Sequence, residues 1–319
     1  IFVKKQRMIN TVRNTVLSVL NKNNYGYLSP SDFNLFSKQA QMDIFESYFY
    51  QYNYQINKEN KRSSGTGYAD ITKGLEEVID EFSKTDYLRY SNANKFFLPS
   101  STTTGEDYYL INKILAYQTF RVNGTITSVS ANQLVDLTAT FTATVAIGDV
   151  VVNTTTYSSA EVTAIVSDTV LSLDGDIFTS LPGDYSIFSS VQNEAERVGH
   201  SKITMLNSSP FTAPSEIFPV YTEESGAATI FPKNMKNDGQ VLAQYIRYPK
   251  EPKWTYIVLA NGEPAFDASQ SDYQDFELPL DDEVTLVTKI LQYAGISIRE
   301  ASVSQFANGE EQKENQTQA

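Results

Sequence analysis

The chain has 319 residues, a formal charge of −13 and no cysteine. That length supports a core large enough to need no staples, and the missing thiols exclude disulfides, thiolate metal sites and cysteine nucleophiles together. The acidic balance argues against a protein that wraps nucleic acid, whose footprint is a basic face. No apolar run reaches the roughly 18 residues of a membrane helix.

The opening "IFVKKQRMIN" lacks the apolar stretch of a signal peptide, and Lys4, Lys5 and Arg7 read as a solvated basic tip. Met8, Val12, Val16 and Val19 or Leu20 then recur at helical spacing and predict a first amphipathic helix. "NKNNYGYLSPSDF" has the outline of a calcium loop: Asn21 and Asn23 fall at ligand positions, Gly26 at the turn and Asp32 at the close. Calcium wants about six to eight oxygens and a closing bidentate Glu, which Tyr25 and a short Asp32 do not supply. The better reading is punctuation between helices. Gly26 ends the first, and Ser29-Pro30-Ser31-Asp32 opens the second as a variant capping box.

In that second helix Phe33, Phe36, Ala40, Ile44, Tyr48 and Tyr52 share a face. Its far end carries Phe45, Tyr48, Phe49, Tyr50, Tyr52 and Tyr54, which helical spacing spreads around the axis. Either core or a subunit interface accounts for them, since aromatics are enriched in both; these six are the interface candidates. "KENKRSSGTGY" reads as a linker. A third helix is expected near Ile71–Phe82, with Leu75, Val78, Ile79 and Phe82 on one face.

"DYLRYSNANKFFLPSS" and "EDYYLINKILAYQTF" read as strands. From about 122 to 190 Thr, Val, Ser and Asp dominate and no helix is expected. Two stretches there look like versions of one pattern: strand, turn, strand, then Phe141-Thr142 or Phe178-Thr179, then Gly148-Asp149 or Gly183-Asp184 leading another strand. This predicts a small all-β barrel or sandwich inserted into a surrounding sheet domain. Strands resume in "EIFPVYTEESGAATIFPKN", a hairpin turning at Ser225-Gly226, and in "QVLAQYIRYPKEPKW" and "TYIVLANG". A last helix opens after Pro279 with Asp281, Asp282 and Glu283, acids favoured at a helix start. Val284, Val287, Leu291, Ala294 and Ile298 form its expected buried stripe. The fold class is therefore α+β: a helical N-terminal region and a long C-terminal helix with a mixed or antiparallel sheet, plus the inserted module. The expected divisions are 1–121, 122–190, 191–308 and a disordered polar tail, 309–319.

The search for chemistry ends nearly empty. His200 is the sole histidine and has no nucleophile elbow beside it, so it reads as a surface or hydrogen-bonded loop residue. "SSGTGYAD" lacks the Lys-Ser/Thr of a phosphate loop. Glu106-Asp107, Glu223-Glu224 and Asp281-Asp282 are adjacent doublets, and neighbours point apart on a strand or a helix, which suits surface charge or capping. No catalytic, cofactor-binding or metal-binding residues are expected.

The stretches "TVRNTVLSVLNKNNYGYLSPSDFNLFSKQAQMDIFESYF", "ERVGHSKITMLNSSPFTAPSEIFPVYTEESGAATIFPKN", "AQYIRYPKEPKWTY" and "FELPLDDEVTLVTKILQYAGISIREASV" together resemble, in their order, a family of structural proteins of tailed phages, especially crAss-like and related podoviruses. "FTATVAIGDVVVNTTTYSSAEVTAIVSDTVLSLDGDIF" is similar to a small β module of phage particle proteins. The resemblance implies a virion structural protein of the neck, or head-to-tail connector. Such a chain forms a homo-oligomeric, expectedly dodecameric, ring below the portal protein, with other neck and tail rings as partners. Genomic DNA passes through without specific binding, and no membrane, enzyme activity or cofactor is implied. The alternative is a tail-associated receptor- or carbohydrate-binding protein that uses the β insert.

Overall fold

The computed structural model describes residues 8–20, 28–61, 71–260, 262–297 and 309. Helices α1 (Met8–Leu20), α2 (Pro30–Lys61) and α3 (Ile71–Asp80) come first. Strands β1 (Ser83–Tyr87), β2 (Tyr90–Asn92), β3 (Lys95–Phe97) and β4 (Tyr108–Tyr117) follow. The next segment holds β5 (Phe120–Thr125), β6 (Ser128–Ser130), β7 (Gln133–Val135), the short helix α4 (Phe141–Thr144), β8 (Val150–Asn153), β9 (Ser159–Ser167), β10 (Val170–Leu173) and β11 (Asp184–Phe188). Then come β12 (Gln192–Arg197), α5 (His200–Leu206), β13 (Val220–Glu224), β14 (Ala227–Phe231) and β15 (Val241–Arg247). A hairpin of β16 (Tyr256–Val258) and β17 (Pro264–Phe266), a 3-10 turn at Leu280–Asp282 and α6 (Glu283–Ser297) complete the fold, which is α+β. The chain divides into two compact units, residues 1–82 with 249–319, and residues 83–248. The long helices of the expected main domain thus fall in the first unit together with the β16–β17 hairpin, and the strands of its large sheet fall in the second with α5.

In the first unit α6 packs on α1 and α2. Met8, Ile9, Val12, Val16 and Leu20 are buried, so Leu20 rather than Val19 completes the α1 stripe. The first amides of α1 are satisfied from far along the chain: Met8 and Ile9 N–H donate to the Asp275 carboxylate at 3.1 and 2.8 Å, where an anion also complements the helix dipole. At the start of α2 the Asp32 N–H donates to Ser29 Oγ at 3.1 Å, and the Ser29 hydroxyl donates to the Asp32 carboxylate at 2.6 Å. This is the capping arrangement expected from the sequence, and it commits the closing acid of the supposed calcium loop to the helix.

Two expectations change here. Helix α2 runs through Lys61, so the first residues of the expected linker are helical. In α6 the buried stripe is Leu286, Ile290, Leu291 and Ala294, whereas Val284 is exposed. Residues 284 and 286 lie about 200° apart on a helix, and contact with α1 and α2 chose the side. Gly26, residues 62–70, Ile298 and the tail beyond Asn308 apart from Gly309 lie outside the described residues.

The second unit contains an eight-stranded sheet in the order β1-β15-β4-β12-β13-β14-β3-β2, antiparallel throughout except where β12 meets β13. The β13–β14 turn puts Ser225 and Gly226 at φ 48° and 76°, the left-handed pair that a tight hairpin requires. Residues 120–188 build a seven-stranded antiparallel sheet, β5-β11-β8-β9-β10-β7-β6. Its edges meet. Ile126 N–H donates to Gly183 on the β11 side and Thr127 N–H to Val135 in β7, at 2.9 and 2.8 Å, so one bent strand serves both edges and closes a barrel.

The sequence pseudo-repeat maps onto this ring. With β5 and β6 taken as one bent strand, exchanging β6, β7 and β8 for β9, β10 and β11 reproduces the same cyclic neighbours. Phe141 and Phe178 are both buried in the barrel core with Leu134, Val162, Leu171 and Ile187. The segment is not purely β, because Phe141–Thr144 form one helical turn that delivers Phe141 inward.

The barrel sits on the larger sheet through Tyr87, Tyr117 and Leu242 on one side and Val152 and Phe188 on the other. Phe188 stacks on Tyr117, with centroids 5.2 Å apart and planes at 6°. Truncating so buried a ring costs about 3–5 kcal/mol. Gly239 lies in this seam at φ 78°, and a Cβ there would stand 2.8 Å from Val152 Cγ1. Only glycine fits.

Replacing Ser29 by Ala should remove the α2 cap and lower stability by about 1 kcal/mol. Urea denaturation in EGTA and in millimolar calcium should give the same loss. A calcium-dependent difference would restore the calcium-loop reading.

Candidate interaction surfaces

The acidic doublets and the histidine singled out from the sequence have structural partners in part. Glu106 pairs with Lys84 and Arg247 at 3.2 and 3.6 Å, and Asp107 accepts the Ser101 N–H at 2.7 Å. Glu223 pairs with Arg197 at 2.8 Å, whereas its neighbour Glu224 reaches Lys95 at 3.7 Å. His200 opens α5, and its Nε2 lies 3.3 Å from the Glu223 carbonyl. Among the described residues no group of three or more His, Asp or Glu could hold a metal ion.

The aromatic end of α2 sorts into three environments. Phe45 and Tyr48 are buried, and Phe45 meets Phe49 and Phe82 edge-on at 5.1 and 5.0 Å. The Tyr48 hydroxyl donates to Asp282; burial, then that carboxylate, pushes its pKa well up. These two interface candidates are therefore core residues, because the α3–α2 packing and the 3-10 turn cover that face. Phe49 and Tyr52 are half-buried, and Tyr52 donates to Glu76 at 2.7 Å. Tyr50 and Tyr54 are exposed, four residues apart on one face.

Sequence periodicity missed a stronger patch. The last turn of α5 exposes Met205, and between α5 and β13 the chain exposes Phe211, Ile217 and Phe218, with Phe211 99% exposed. From Ile203 to Thr222 the sole charged residue is Glu216, whose carboxylate accepts the Asn234 amide. The loop is internally braced: Ala213 N–H donates to Ser209 at 3.0 Å, the Thr212 hydroxyl to Leu206 at 3.0 Å and the Asn193 amide to Glu216 O at 2.9 Å. The signal was the run of uncharged residues, which lacks any helical or strand period.

On the barrel, a polar cleft of about 400 Å³ is lined by Asn123, Thr125, Asp184, Tyr185, Lys236 and Asp238, among others. Several of its polar groups already have partners. Asp184 accepts the Thr125 hydroxyl at 2.6 Å, and Asp238 accepts Tyr157 at 2.9 Å. Behind it the buried Asp136 accepts Tyr185 at 2.8 Å and the Thr138 N–H and hydroxyl at 2.8 and 2.7 Å. Burial works to raise its pKa, but the hydrogen bonds from Thr138 and Tyr185 outweigh it and hold the carboxyl below its ordinary value.

No protein-family model matches the chain, and no curated protein matches it.

Two outcomes follow. Phe45→Ala should cost about 3–5 kcal/mol, whereas Tyr50→Ser should stay within about 0.5 kcal/mol in the isolated chain; urea midpoints of equal size would mean that Tyr50 is packed. Asp136, with its lowered folded pKa, contributes stability above the unfolded value of about 3.9 that is lost as pH falls through the folded one. Asp136→Asn should therefore destabilise the protein at pH 7, with a gap from wild type that narrows below about pH 4. A gap independent of pH would show that the ionised form is not favoured by folding.

Proposed function

We propose that this protein is a virion structural subunit that forms a homo-oligomeric, dodecameric ring in the neck of a tailed phage, below the portal protein. It joins capsid to tail and lines the genome passage. The observation that carries the reading is the braced loop that holds Phe211 outward in a charge-poor segment. An aromatic patch of this kind on a soluble chain marks a surface meant to be covered. Obligate interfaces resemble a core cut in half, and charge is depleted at their centres.

The charge of −13 suits a conduit, because each phosphate contact would strengthen binding to the passing genome. The adjacent carboxylate doublets Glu106-Asp107 and Glu223-Glu224 are held in ion pairs and a backbone hydrogen bond, which suits a structural role better than paired catalysis. The polar barrel cleft favours a second reading, a tail protein that binds a receptor or carbohydrate. Its Asp184, Asp238 and Tyr185 already hold Thr125, Tyr157 and Asp136, so a ligand would have to compete with those bonds.

Light scattering and two-dimensional class averages of the purified full chain test the reading. The expected result is a closed ring of high cyclic order, with twelve subunits as the expected count by analogy with the resembled family. A monodisperse trimer that binds cell-surface glycans through the barrel would favour the receptor-binding role. A monomer at every concentration would defeat the ring.

A further inference from the structure

The second unit carries, besides the exposed loop, a feature that could receive it. A groove of about 350 Å³ is lined by Phe97, Leu98, Pro99, Thr102, Tyr108 and Gly226, among others, with no charged side chain in its lining. Phe97 is 44% exposed at its wall. The groove lies at the β3–β4 side of the β13–β14 turn, since Gly226 is part of its lining. The loop that holds Phe211 enters β13 at the other end, at Val220. Loop and groove thus flank opposite ends of one hairpin, about 17 Å apart for five extended residues.

We propose that neighbouring copies join head to tail, with Phe211 of one copy inserted into the Phe97–Tyr108 groove of the next. The inference rests on the ring reading and supplies its contact. Electrostatics selects the occupant. Two identical chains of charge −13 repel wherever charged surfaces face each other. A loop with one charged residue in twenty and a groove with none can meet without that cost. Neither feature offers the lysines or arginines that would hold a phosphate backbone. The bracing of the loop also matters, because a side chain already held outward loses less freedom on insertion. Because knob and groove are different surfaces, the contact is heterologous, the kind that closes a ring when repetition of its rotation returns to the first copy and winds an open filament when it does not.

The test uses two variants of the full chain, Phe211→Ser and Thr102→Arg. Both positions are exposed, so thermal melts should match wild type. The first variant keeps a working groove, and the second keeps a working Phe211 but fills its groove with a long cation. At a concentration where wild type forms rings, each alone should run as a monomer in mass photometry. Mixed in equal amounts, they should give dimers of twice the monomer mass and nothing larger, since the dimer ends in one dead knob and one blocked groove. Should either variant melt lower, Phe211→Lys or Thr102→Lys replaces it in the same mixing scheme. Rings formed by Phe211→Ser would overturn this contact and leave the ring standing. Monomers that stay monomeric on mixing would show that the two surfaces do not meet. A wild-type chain that never assembles would sink the ring reading and this inference together.

Discussion

The rings of Tyr117 and Phe188 lie nearly parallel, 5.2 Å apart, at the point where the chain leaves the large sheet for the barrel and where it returns. Tyr117 ends β4 and Phe188 ends β11, so one stack ties together the two strands that bracket the barrel segment. The buried Tyr87 and Tyr117 hydroxyls satisfy each other at 3.0 Å, which lets the phenols enter an apolar seam without an orphaned polar group. Gly239 leaves the room for Val152 that the seating requires. On the far side Tyr157 donates to Asp238 while the Arg89 guanidinium lies 5.4 Å from the centre of its ring. The barrel is therefore fixed in orientation on its sheet by apolar contact at the centre and polar contact at the rim.

The same economy governs the first unit. Trp254 is buried with its indole N–H donating to Asn10 at 3.1 Å and the Arg13 guanidinium 3.8 Å from its ring centre. The Asn34 side chain exchanges two hydrogen bonds with the Trp254 backbone, accepting from its N–H at 2.8 Å and donating to its carbonyl at 3.2 Å. Residues more than two hundred positions apart thereby close the helical layer on the C-terminal segment. These buried polar groups have partners, and a packed interior favours that, because an unpaired buried group costs about 1–3 kcal/mol. The Ser37 hydroxyl in α2 is an exception, buried without a hydrogen-bond partner among the described residues.

What is left over at the surface carries the functional reading. Many carboxylates of this acidic chain are committed to lysines, arginines, amides and hydroxyls, as Glu106, Asp107, Asp136, Asp184 and Glu223 show. Apolar side chains are also exposed, and among the described residues the most exposed of the large ones is Phe211, in the loop before β13. A structural role in an assembly uses such exposed apolar surface directly, as contact area. For the conduit role proposed above, a net charge of −13 would disfavour phosphate contacts with the passing genome.

The sequence by itself determined the local elements and the α+β class. The capping residues Ser29 and Asp32, the Ser225-Gly226 turn and the alternating strands act through near neighbours, and the barrel repeat was legible as two versions of one pattern. Tertiary structure decided which face of a helix turned inward. Val284 and Leu286 are equally apolar, and contact with α1 and α2 chose between them. It also sorted the aromatics of α2, burying Phe45 and Tyr48 and leaving Tyr50 outside, because the covering groups, Phe82 and Asp282, come from distant positions. The Phe211 loop and the groove at Gly226 have no period to betray them. Burial is a property of what packs on a residue, and for loops that information is stored almost wholly in the rest of the chain.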